Sequence, residues 1–189
     1  ARQAEAEYMR LSLDREEIQA SGKVPLNDLS APLVDGRDFV AERLVFEQMV
    51  GADRLSAARA RFERYQSLVD AGVIRSEELV EVSLALREAE AQLIGIDEKT
   101  ALRRRFLDGE MSPDEAMREY EISETQKRLD LQRQALEGAM TRFRGVEERV
   151  ALGMVHENEL LKARMQLMQI QSQLELLEAQ LGALRGGAP

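Results

Sequence analysis

The chain has 189 residues, with 26 Lys and Arg against 35 Asp and Glu, one His and no Cys or Trp. A disulfide framework, a thiolate metal site and a cysteine nucleophile are excluded, and the net charge of −9 argues against a phosphate-backbone binder. No apolar run approaches the roughly 20 residues a membrane span needs, so the chain reads as soluble. With neither initiator Met nor signal peptide, it reads as a mature chain or an excised domain.

Ala, Leu, Glu, Arg and Gln dominate, and all favour helix. A first helix is predicted over 1–20, with Tyr8, Leu11 and Ile18 on one face. Residues 21–36 hold Gly22, Pro25, Pro32 and Gly36 and form the one long loop. It reads as a strap that covers a bundle face with Val24, Leu26, Leu29 and Leu33. Asp38 is placed to cap a second helix that continues through Gly51 to about Ala71, with a seam at Leu55, Ala58, Phe62, Tyr65 and Val69.

A third helix is predicted over 76–107 on Leu79, Val82, Leu86, Ala89 and Leu93, with a candidate kink at Ile94-Gly95-Ile96-Asp97. The run Arg103-Arg104-Arg105 at its end reads as a solvated patch near the negative end of the helix dipole. A fourth helix, 113–152, carries Leu129, Leu136, Ala139, Phe143, Val146 and Val150, with Gln132 the polar occupant of the seam. The fifth, 157–184, alternates steps of three and four from Leu160 through Leu167 and Leu174 to Leu184. It carries a second stripe, Leu161, Met165, Met168, Leu176 and Ala179, which predicts neighbours on both sides.

Three helix breaks share one pattern. Gly72-Val73-Ile74-Arg75-Ser76-Glu77-Glu78-Leu79 aligns without gaps with 109–116 and with 153–160. The glycine suits a left-handed stop, and the residue three later (Arg75, Ser112 or His156) sits where an N-cap belongs. Ser112 and Glu115 predict a capping box, with Met111 stapled on Ala116. A helix stop followed at once by a helix start makes a tight αα-hairpin. The expected fold is therefore all-α, an antiparallel bundle of long helices, with the helix and strap in 1–36 leading into a hairpin bundle over 37–189.

The segment 149–164, Arg149-Val150-Ala151-Leu152-Gly153-Met154-Val155-His156-Glu157-Asn158-Glu159-Leu160-Leu161-Lys162-Ala163-Arg164, resembles the α-helical repeats of the TolC-like outer-membrane efflux proteins. Residues 60–94 fit the same pattern more loosely. The resemblance implies a periplasmic hairpin tip at which membrane-fusion adaptors dock. His156 stands where that family has Ser or Thr, and no segment reads as a barrel strand. Met111-Ser112-Pro113-Asp114-Glu115-Ala116 is more faintly similar to small periplasmic all-helical metal-stress proteins. Both resemblances imply an extracytoplasmic setting, with a cytoplasmic one as the alternative.

Little catalytic chemistry is written here. His156 is the lone histidine and with Glu159 offers two metal ligands at most, so it reads as a polar residue of a turn. The acids that open each helix suit the dipole. The methionines 111, 117, 140, 154, 165 and 168 read as core. No nucleophile, base and acid order or phosphate loop is present, so an enzyme is not expected, and no cofactor or metal. The expectation is a non-catalytic scaffold that binds a protein partner or a second copy through helical surfaces, not nucleic acid. Candidate docking residues are the hairpin tips: Gly72, Val73, Arg75, Glu77, Gly153, Met154, His156 and Glu157. The rival expectation is a ligand- or metal-responsive sensor domain.

Overall fold

The computed structural model describes residues 2–186, apart from the side chains of residues 2–4, 76 and 77. Among these residues there are five helices: α1 (Arg2–Ser21), α2 (Phe39–Asp70), α3 (Ser76–Leu107), α4 (Pro113–Ala151) and α5 (Glu157–Gly186). The all-α expectation holds, and the helix limits fall within a few residues of those the sequence predicts. α3 runs unbroken through Ile94-Gly95-Ile96-Asp97, so the candidate kink is absent.

The three glycine stops are built alike. Gly72, Gly109 and Gly153 take φ of +69°, +75° and +68°. In each, the glycine N–H donates to the carbonyl three residues back and the next N–H to the carbonyl five back: Val73 to Leu68, Glu110 to Arg105, Met154 to Arg149. That is the Schellman closure, which satisfies helix-end carbonyls that would otherwise be left bare. The restart differs between copies. Ser112 and Glu115 form the expected box, the Ser112 N–H donating to Glu115 Oε2 at 2.7 Å and the Glu115 N–H to Ser112 Oγ at 3.3 Å. Those bonds hold the Glu115 carboxyl below the usual carboxylate range. In the third copy Glu159 turns instead to Lys162 at 2.8 Å.

The chain divides into two compact units. Unit 1 comprises Ala1–Arg59 with Ala89–Glu121, and unit 2 comprises Ala60–Glu88 with Ile122–Pro189. In unit 1 the strap is pinned by two arginines. Arg103 is 1% exposed and donates to both carboxylate oxygens of Asp38, to the Leu29 carbonyl at 2.8 Å and to the Ala31 carbonyl at 2.5 Å. Asp38 also caps α2 through the Ala41 N–H at 3.0 Å. Arg43, also buried, reaches Asp14 at 3.2 Å, Glu17, and the Leu26 carbonyl at 2.6 Å.

Several sequence expectations are corrected in this unit. Arg103 belongs to the interior rather than to a solvated patch, because the strap carbonyls and Asp38 satisfy its guanidinium. Its neighbour Arg105 stays exposed and pairs with Glu119 at 2.6 Å. Of the strap's apolar residues only Leu29 is buried, together with Ala31, whereas Val24, Leu26 and Leu33 face outward. Leu29 packs with Leu102, Met111 and Ala116, and Ala31 with Val40 and Leu44. α1 buries Ala6, Leu13 and Glu17 and exposes Tyr8, Leu11 and Ile18. Arg43 selects that face, since it draws Asp14 and Glu17 inward.

Unit 2 holds the end of α2, the start of α3, most of α4 and α5. Its core is the predicted seam: Val82, Leu129, Ala139, Val146 and Leu181 are buried. Gln132, the polar seam position, donates to Gln173 Oε1 at 2.8 Å and to the Ile170 carbonyl at 3.3 Å, so α5 satisfies it. Gly138 lets α4 approach α3 closely, since a Cβ there would lie 2.7 Å from Val80 Cγ1.

The second stripe of α5 finds no neighbour within unit 2. Leu161, Met165, Met168 and Leu176 are 58–63% exposed. Of the methionines read as core, Met111 is buried, whereas Met140, Met154, Met165 and Met168 are exposed. Among the described residues no helix is long and apolar enough to cross a membrane.

Candidate docking site at the hairpin tips

Val80 on α3 adjoins Gly138 on α4. Further along the same two helices Lys99 lies over Tyr120 and Arg105 pairs with Glu119, so residue numbers rise on one helix as they fall on the other and the two run antiparallel. From the contact of Val80 with Gly138 the chain reaches Gly72 by running backward along α3, and Gly153 by running forward along α4. Both tips therefore lie at the same end of unit 2. Gly153 is seven residues further along than Gly72, about 10 Å of helix rise.

Each tip exposes the apolar residue that follows its glycine. Val73 is 67% exposed and Met154 70%, with Leu152 beside it at 74%. In the Gly109 turn the equivalent position is the polar Glu110, and the apolar residue after it, Met111, is buried in the unit 1 core. Arg75, His156 and Glu157 are exposed around the two tips, and the Glu77 side chain lies outside the described residues.

A shallow groove adjoins each tip. The first, about 620 Å³, is lined by Arg61, Arg64, Tyr65, Leu68, Ile74 and Glu78, with the Arg61 guanidinium 5.5 Å from the Tyr65 ring centroid. The second, about 430 Å³, is lined by His156, Asn158, Glu159, Leu161, Lys162 and Met165. Its Glu159 carboxyl is held below the usual range by the Lys162 ammonium. One tip thus presents arginines beside an aromatic ring, and the other an apolar ledge edged by the ion pair of Glu159 with Lys162. No group of three or more His, Asp or Glu side chains suited to a metal ion occurs among the described residues.

A third hollow of about 330 Å³ lies among α3, α4 and α5 of unit 2, lined by Val80, Leu84, Gln134, Ala135, Gly138 and Ile170 among others. The Gln134 Oε1 is buried without a hydrogen-bond partner. A buried acceptor left unpaired costs roughly 1–3 kcal/mol. Sequence reasoning missed Gln134 and the Arg61, Arg64 and Tyr65 edge, because their side of the helix is set by packing and no motif marks it. Leu152 was legible as an apolar residue beside a glycine stop.

Comparison of the chain with protein-family models, with curated proteins and with solved structures finds no match.

Proposed function

We propose that the chain is a non-catalytic helical scaffold that docks a protein partner through its paired hairpin tips, in the envelope of a bacterium. The observation that carries this is the exposure of Val73, Leu152 and Met154 at two tips of the same build on one end of unit 2. Apolar residues in such numbers on a turn are costly to leave in water, and they are the residues that interfaces desolvate. The resemblance of 149–164 to TolC-like hairpin tips supports an extracytoplasmic setting and a helical-hairpin partner.

Site-specific photo-cross-linking from positions 73 and 154 in the source cells tests the reading. Both positions are expected to capture the same protein, and Glu157→Lys with Glu77→Lys to abolish capture while far-ultraviolet circular dichroism stays unchanged. Met154→Asp is expected to weaken binding of that partner by roughly thirtyfold, the scale of an interface hot spot. Undiminished capture after the charge reversals sinks the proposal.

The hollow beneath Gln134 favours a second reading, a ligand-responsive domain that signals by helix shifts. Its ligand would be a small apolar molecule with one hydrogen-bond donor for Gln134 Oε1. A thermal-shift screen of such molecules is then expected to raise the melting midpoint in the native chain and not in Gln134→Leu. A flat screen removes this reading.

A further inference from the structure

The outer face of α5 carries large and small residues in an order that complements itself. Leu161 and Met168 are large, Ser172 and Ala179 are small, and all four are exposed on one side of the helix. The small pair follows the large pair with the same seven-residue spacing. Residues 161 and 179 are equidistant from position 170, and so are 168 and 172. Turning a second α5 end for end about that position sets Met168 over Ser172 of the other copy and Leu161 over Ala179. Along that line knobs meet hollows, while on one flank Met165 lies against Leu176 of the other copy, an apolar contact of two large side chains. Turning the copy parallel instead sets Met168 on Met168 and leaves a gap at Ser172.

Charge follows the same symmetry. At 100° per residue Arg164 and Glu175 lie on the same flank of the stripe, and in an antiparallel two-fold pair like flanks face each other. Their positions are equidistant from 170 to within one residue, so each Arg164 meets the other copy's Glu175. Both residues are exposed, and neither has an ion-pair partner among the described residues of its own chain. The stripe spans about 27 Å of helix.

We propose that a second copy of this chain covers the outer face of α5 as an antiparallel, two-fold helix pair centred near Ile170. One helix face from each copy makes a small interface, and the pair exchanges with monomer in the micromolar range. The proposal rests on observations separate from the exposed turn residues Val73, Leu152 and Met154, although the pair would cover Leu161 and Met165 at the edge of the second tip groove.

Sedimentation velocity of the full chain over a micromolar concentration series tests it. The expected result is a species of twice 21.3 kDa that gives way to monomer on dilution. Met168→Glu, on an exposed position, is expected to leave only monomer with unchanged helicity. Arg164→Glu should raise the dissociation constant about tenfold, since two symmetric attractions become repulsions. Arg164→Glu with Glu175→Arg should restore it, a result that loss of folding cannot imitate. A monomer throughout the series overturns the proposal. So does a dimer indifferent to Met168→Glu, or one in which the charge swap fails to rescue.

Discussion

Replacing Arg103 with leucine is expected to destabilise the protein by about 3–5 kcal/mol, the cost of stripping one member from a buried charged network. The side chain is held by Asp38, the Leu29 carbonyl and the Ala31 carbonyl, and water has almost no access to it. Leucine would leave two strap carbonyls without a donor and Asp38 without its counter-charge. Asp38 would keep the Ala41 N–H, so the α2 cap survives while the strap is freed. Lysine retains the charge but cannot span three acceptors from a planar fork, so Arg103→Lys should recover only part of the loss. Urea unfolding monitored at the helix band measures both. A loss below 1 kcal/mol for Arg103→Leu would mean that the strap is held by something else.

Arg43 tests the opposite side of the same energetics. Arg43→Met alone is expected to cost about 3 kcal/mol, because Glu17 remains buried without its partner. The double change Arg43→Met with Glu17→Leu should cost distinctly less than the sum of the two single changes, since an apolar pair of similar volume can replace a buried ion pair. Full recovery is not expected. The Leu26 carbonyl loses its donor, and the partly exposed Asp14 loses its counter-charge. Strict additivity in a double-mutant cycle would contradict the pairing.

The helices were legible in the sequence because their signals are local. A glycine that must take a positive φ, a cap three residues on and a three–four seam each act within a turn or two. The Gly72, Gly109 and Gly153 stops accordingly appear where expected. The direction each helix faces was less legible. Tyr8, Leu11 and Ile18 mark an apolar face of the first helix, yet a guanidinium 26 to 29 residues away draws Asp14 and Glu17 inward and leaves that face exposed. The Arg103-Arg104-Arg105 run looked uniform, and only the strap carbonyls distinguish the first arginine from the other two.

Within the candidate site, the tip residues were legible as turn elements, and their exposure follows from the shortness of the turn. The stripe on α5 is legible as apolar and as wanting a neighbour, but within the chain no neighbour among the described residues covers it. Periodicity reports that a face is apolar without saying what covers it. The pocket beside Gln134 left no trace in the sequence because it is a gap among three helices, not a residue pattern.

The two arginine clamps differ in one respect that bears on assembly. Arg43 closes loops of 17, 26 and 29 residues, whereas Arg103 closes loops of 65 to 74. The longer closures cost only roughly 1 kcal/mol more in chain entropy. The difference therefore lies less in stability than in timing. During synthesis from the amino end, α1 can be fastened once Arg43 has emerged. The second half of the strap must wait for Arg103: until then the Leu29 and Ala31 carbonyls lack that donor, and Leu29 lacks its wall of Leu102, Met111 and Ala116, although Ala31 can already lie against Val40 and Leu44.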